Sequence, residues 1–264
     1  TTGSQASRFE KKLTEYLGAK HVVALNSCTA GLHLALAAKK FGNESKFIAP
    51  TLTFVSTIEC GEYVGMQPIL VDSDNDGFLL DLNQVEDIVK KDSSVKVIIP
   101  VHYAGEPVGL QFLWNLADKH GLFILEDAAH ALESESNGKK VGNTDYAAAF
   151  SFYANKNITT GGEGGALATN NYDLAKNVKK LSLHGITKDG WNRFNKNGNW
   201  EYDIVELGYK YNLTDYAASF GLWQMQYITE WQKRRNEIVG RYNKGLAEID
   251  GISLPDIKKG HSKH

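Results

Sequence analysis

Apolar residues recur at Phe9, Leu13, Tyr16 and Leu17, the spacing of one helical face, and Gly18 supplies a stop. A short apolar run over 21–25 predicts a buried strand, which passes through Asn26, Ser27, Cys28 and Thr29 into an apolar helix over about 30–38. Strands are predicted over 46–49, 68–71, 95–101 and 122–125, separated by helical patterns near 53–64, 82–91 and 109–119. Strand and helix alternating in this way argue for an α/β fold, a mostly parallel sheet covered by helices on both faces. Ligands of such sheets gather at the carboxyl ends of the strands.

The densest signal lies at 147–170. An apolar run over 147–153 is followed by Lys156, then by Thr159, Thr160, Gly161, Gly162, Glu163, Gly164 and Gly165, and a second apolar run over 166–168 closes the unit. This predicts a strand, a glycine turn and a returning strand, with Lys156 at a strand end. Beyond 172 the pattern is helical, then polar and aromatic with no clear period, which reads as a long functional loop; 217–246 predicts one long helix.

Composition narrows the function classes. The 264 residues suffice for one large domain or slightly more, and a net charge of −2 offers no electrostatic case for nucleic acid or anionic membranes. No apolar run is long enough to span a bilayer, and the first residues lack the apolar region of a signal peptide. The two cysteines, Cys28 and Cys60, fit a reducing cytoplasm and read as half-buried free thiols. A thiol at a helix start can instead have a lowered pKa, the sharper reading of Cys28. The glycosylation-type tripeptides at Asn43, Asn157 and Asn212 read as chance matches.

A lysine on a hairpin is by default a solvated charge, but in a cleft it can become a nucleophile or Schiff-base partner. The stretch FILEDAAHALES changes the weighing: a predicted strand runs into Glu126 and Asp127, with His130 one helical turn later. Asp127 alone would suit a helix N-cap. Glu126, Asp127 and His130 could also suggest a metal site, but convincing further ligands are lacking, and none is assigned.

The segments RFEKKLTEYLG, LNSCTAGLHLAL, PTLTF, EDAAHAL, SFYANKNITTGGEGG, LHGITKDGW and LGYKYNLTDYAAS together resemble the DegT/DnrJ/EryC1/StrS sugar aminotransferases, in the family's order and over nearly the whole chain. The resemblance implies the large domain of a fold-type-I aminotransferase and pyridoxal 5'-phosphate (PLP), which becomes pyridoxamine phosphate in the half-reaction. It implies that Lys156 forms the Schiff base and serves as acid and base. Asp127 faces the pyridine nitrogen, and His130 lies beside the cofactor ring. Phosphate contacts fall on Thr29, Ala30 and Ser151, with Asn212 reaching in from a neighbouring subunit, so that a homodimer shares its sites. Phe54 stacks on the ring, or packs in the core. His184, Lys188, Trp191 and Arg193 lie where sugar-nucleotide contacts are sought, although Lys188 and Arg193 could be solvated and Trp191 could merely pack.

The implied reaction is ping-pong transfer of an amino group from an amino acid, glutamate in most relatives, to a keto-sugar nucleotide. The chain looks most like the group that aminates C4 of UDP- or dTDP-linked 4-keto sugars. Some relatives carry histidine in place of the lysine and act as sugar dehydratases; lysine here favours transamination over that and over a non-catalytic PLP-binding role. The expected organisation is a PLP-binding domain over 1–225 and the start of a smaller domain over 226–264, most of it missing. Relatives also usually have a short segment ahead of TTGSQ.

Overall fold

The computed structural model describes residues 2–75, 77–186 and 203–255. Its central element is α2, Cys28–Lys39, reached directly from β1, His21–Leu25. Ser27 caps α2 by accepting the Ala30 N–H, and residues 30–36 are all buried. A helix apolar on every side must be wrapped. Here the wrapping is β5 (Phe123–Asp127), β8 (Ala147–Ser151) and β9 (Gly165–Thr169) beneath it, with α3 (Ser56–Glu62) and α6 (Tyr172–Leu181) at its flanks.

The main sheet has the order β1-β9-β8-β5-β4-β2-β3, with β2 at Lys46–Pro50, β3 at Gln67–Val71 and β4 at Val95–Ile98. Neighbours from β3 through β8 run parallel, and β9 alone is reversed, pairing antiparallel with both β8 and β1. Strand alternation divides the core. Leu25, Ala49, Leu125 and Ala149 face α2, whereas Ala24, Ala148 and Phe150 meet α1 (Ser4–Leu17), and Ile48, Ile98 and Ile124 meet α4 (Leu82–Lys91) and α5 (Leu110–His120). The layers are helix, mostly parallel sheet, helix, as the pattern predicted. A small antiparallel pair, β6 (Glu135–Ser136) and β7 (Lys139–Lys140), stands apart.

Two expectations need correction. The strand predicted over 95–101 ends at Ile98, although the chain stays extended and Val101 still bridges Asp127. The single helix predicted over 217–246 is two: α7, Asp215–Gln224, and α8, Ile228–Leu246. Between them Gln226 and Tyr227 donate to Trp223 and Gln224, tight turn-type bonds, and Trp223, Tyr227 and Trp231 pack as an aromatic corner. Among α8 residues only Ile228 is buried.

Candidate active site

The carboxyl ends of β1, β2, β4, β5 and β8 open on one edge of the sheet, and the start of the reversed β9 meets them there. Gly165 opens β9 opposite both Leu25 and Ser151. A Cβ on Gly165 would fall within 2.2–2.5 Å of the Ser27 carbonyl group and the Cys28 nitrogen. Only glycine lets β9 lie this close to the loop that starts α2. The loop thereby shares one corner with Ser151. Thr29 and Ala30 occupy the first turn of α2, where N–H groups and the helix dipole favour an anion. The Ala30 N–H is already held by Ser27 Oγ at 3.0 Å.

Asp127 ends β5 with 5% of its surface exposed. Thr57 Oγ1 donates to its Oδ2 at 2.7 Å, and the Ala129 N–H to its Oδ1 at 3.2 Å. It is therefore more than a helix cap, since Thr57 reaches it from another element. Thr57 lies 2.6 Å from Thr53. A carboxylate only accepts, so Thr57 spends its proton on Asp127 and takes one from Thr53. Glu126 points to the opposite face. There it meets His102, whose Nε2 lies 3.2 Å away and whose Nδ1 accepts the Val108 N–H. Alternation along β5 thus separates the two carboxylates, and Glu126, Asp127 and His130 do not converge.

The Cys28 thiol stands between the elements, 3.8 Å from Asp127 Oδ1 and 3.4 Å from the Ala149 carbonyl. Burial and the Asp127 carboxylate push the thiol well above its usual range, and Lys156 opposes this only in part. The lowered pKa considered for Cys28 is overturned, because burial and then the nearby Asp127 carboxylate outweigh the helix terminus. Cys60 is fully buried and its thiol is likewise raised, chiefly by burial.

Lys156 is half-buried and lies in the turn between β8 and β9. Its N–H donates to Tyr153 O at 3.0 Å, while Phe152 and Ala154 bond Gly164 and Gly162 across the turn. Gly161 and Gly162 have φ of 91° and 129°, values that side chains rarely adopt. β5 and β8 are parallel neighbours, so the strand end that carries Asp127 and the turn that carries Lys156 lie on the same edge of the sheet.

His130 Nδ1 accepts the Ala104 N–H at 3.3 Å, which places the proton of the neutral ring on Nε2. Ala104 holds φ at 50° to make this contact. Phe54 is 75% exposed, so the core-packing alternative does not apply. Asn212 pairs with Leu25 beside the α2 loop, and its amide bonds Thr2 and Lys210 of its own chain. His184 is exposed with φ of 57°, and its N–H donates to Tyr209 O. A Cβ on Gly208 would fall 2.1 Å from Gly185 N, so these two glycines let the backbones at 184–185 and 208 approach closely. Lys188, Trp191 and Arg193 lie outside the described residues. Sequence reasoning missed Thr57 and Gly165. The Thr53–Thr57 spacing on PTLTFVST, one helical turn, was the available signal for the first.

These groups fit PLP: a half-buried lysine in the turn after β8, a buried carboxylate with its own donor, and hydroxyls with a helix start in a corner that a single Cβ would fill. Comparisons with known proteins agree. A profile of the DegT/DnrJ/EryC1/StrS aminotransferase family matches residues 1–264. The spore coat polysaccharide biosynthesis protein SpsC of Bacillus subtilis is 42% identical over 97% of the chain and 65% of its own length. The UDP-4-amino-4-deoxy-L-arabinose–oxoglutarate aminotransferase of Shewanella sediminis is 35% identical over 100% of the chain and 68% of its own. Spr1654 of Streptococcus pneumoniae in its PMP form superposes with a TM-score of 0.90 at 33% identity, covering 100% of this chain and 68% of that one. It has also been solved in a PLP form. The chain thus spans about two thirds of the length of each of these relatives. It belongs to the DegT/DnrJ/EryC1/StrS aminotransferase family, whose members work with PLP.

Proposed function

We propose that the protein transfers an amino group from an amino acid, L-glutamate first among them, to a 4-keto-6-deoxy sugar carried on UDP or dTDP. The observation that carries this is the placement of a buried Asp127, held by Thr57, at the end of β5, with Lys156 in the turn that follows the neighbouring parallel strand β8. When bound, PLP supplies the electron sink for charge left on carbon after proton removal. Asp127, buried and oriented by Thr57, holds the ring nitrogen in its protonated form. Thr29, Ala30 and Ser151 hold the phosphate at the start of α2, Ser27 yielding the Ala30 N–H. The Lys156 amine would act as the base that takes the proton from the donor carbon and as the acid that gives it back, and in the reverse sense for the keto sugar. Phe54 would stack on the ring, His130 would stand beside it, and His184, Lys188, Trp191 and Arg193 would receive the sugar nucleotide.

We propose further that residues 1–225 form the PLP-binding domain and α8 begins a second. Two chains pair in the cytoplasm, and Asn212 of one serves the phosphate of the other. Support for pairing is the exposed aromatic surface of Tyr216, Phe220 and Trp223, close in chain to Asn212. No helix of the described residues is long and apolar enough to cross a membrane.

The test is incubation with glutamate and a panel of 4-keto and 3-keto sugar nucleotides, read by mass spectrometry. Amine at C4 with release of 2-oxoglutarate is expected. Amination at C3, or loss of water in its place, would overturn the substrate assignment.

A further inference from the structure

Lys156 is followed by Asn157, and Asn157 is gripped from two directions. Arg235 Nη2 donates to the Asn157 carbonyl at 2.7 Å, and the Asn157 side-chain amide donates to Glu133 Oε2. Arg235 Nη1 in turn donates to Glu133 Oε1 at 3.1 Å. The three residues close a ring in which each Glu133 oxygen has a donor and the guanidinium fork serves two acceptors. The Glu133 side chain is 1% exposed. A carboxylate buried so deeply requires a charge partner, and here the partner stands on α8, 102 residues later. A planar fork meets the carboxylate and the carbonyl with two donors in fixed geometry; a lysine ammonium on its flexible stem holds them less rigidly.

The position of Arg235 gives the ring its meaning. Beyond Ile228 and the half-buried Trp231, α8 lies largely in solvent, and its Arg234–Glu237 pair stays within the helix. The Arg235 bonds therefore tie the middle of α8 to the body. A second strut reaches the same turn from α7, where Gln224 Oε1 accepts the Thr159 N–H at 2.7 Å. On the other side of Lys156, its own N–H is fixed to Tyr153.

We propose that Arg235 and Glu133 are positioning residues that brace the main chain of Lys156 against α8, so that the attitude of this helix sets where the lysine amine reaches. Both residues reach the main chain of Lys156 through Asn157. The inference rests on Lys156 as the cofactor lysine. A displacement of about 1 Å at such a group is enough to cost on the order of a hundredfold in rate. A helix that carries the chain onward is thereby coupled to the reacting amine.

The test compares Arg235→Met, Arg235→Lys and Glu133→Gln with the unaltered protein. Three quantities are read: the rate at which added PLP forms the lysine-linked visible chromophore, the half-reaction rate with glutamate, and the glutamate concentration that half-saturates it. Arg235→Met is expected to slow both rates about tenfold, with half-saturation within about twofold, because orientation and not binding is lost. Arg235→Lys restores part of the loss, and Glu133→Gln gives a smaller slowing of the same kind. A fall in melting temperature with both rates unchanged makes the ring purely structural and overturns the proposal. If Arg235→Met does not fold, unchanged rates in Glu133→Gln overturn it equally. Borohydride reduction of the unaltered protein separates the two levels: label on a lysine other than Lys156 refutes the cofactor assignment itself, whatever the variants do.

Discussion

The acid and the lysine of the site are held in opposite ways. Asp127 ends a strand flanked by β4 and β8, is almost fully buried, and takes its hydrogen bonds from Thr57 and from Ala129 just beyond it. Lys156 sits past the end of β8, half-buried, in a turn whose struts come from α7 and the largely exposed α8. The difference follows the work proposed for each. A carboxylate that must hold one charge in one place gains from rigid, dry surroundings. A lysine that must bond, release and carry a proton needs a firm main chain and a side chain with room to move.

The largest effect should come from the lysine. Lys156→Ala is expected to abolish turnover and leave PLP bound only noncovalently. Borohydride should fix the cofactor mass on Lys156 in the unaltered protein and on no residue of the variant. Asp127→Asn preserves shape and removes charge. It should slow the half-reaction by roughly a thousandfold, the scale of a principal electrostatic contribution. Near-normal rates in Asp127→Asn would dissolve the contrast, leaving the buried carboxylate as packing.

How far the sequence revealed these two regions differs for a physical reason. Strands and helices of the sheet are written in local period, so 82–91 and 21–25 were predicted at their observed limits and the parallel layering followed. Asp127 and Lys156 were legible because each stands beside a strong apolar run, and the resemblance gave them their roles. Thr57 was passed over because its partner lies 70 residues away, and the Arg235 ring because its members are 78 and 102 residues apart. The break between α7 and α8 escaped notice because Met225, Gln226 and Tyr227 carry no glycine or proline to announce it. The raised thiol of Cys28 required knowing that Asp127 folds against it.

On the acid's side, Thr57→Val removes the hydroxyl that orients Oδ2 while keeping the side chain's volume nearly unchanged. Losing a buried hydrogen bond to a charged group costs about 1.5–3 kcal/mol, so the half-reaction should slow by roughly ten- to a hundredfold. Thr57→Ser should recover most of this, since it retains the donor. PLP affinity measured beside the rate sharpens the comparison: a loss confined to affinity would show that Thr57 shapes the pocket and does not support the acid.

The smallest effect is expected at Cys28, although its sulfur touches the same carboxylate. At 3.8 Å from Oδ1 the thiol is a weak donor, and its closer neighbour is the Ala149 carbonyl. Cys28→Ala should change the half-reaction by less than about threefold, well short of the loss at Thr57. The raised pKa adds a signature in pH. In the folded protein the thiol stays protonated through the usual cysteine range, so alkylation of Cys28 should remain slow as pH rises from about 7 to 9 and become fast only on unfolding. A folded pKa above the unfolded value means that the stabilisation is complete below the unfolded pKa of about 8.5 and is lost as pH climbs beyond it. Melting temperature should therefore fall less steeply above that pH in Cys28→Ala than in the unaltered protein. A rate loss at Cys28 equal to that at Thr57 would make the thiol part of the acid's support and extend the rigid region to the start of α2.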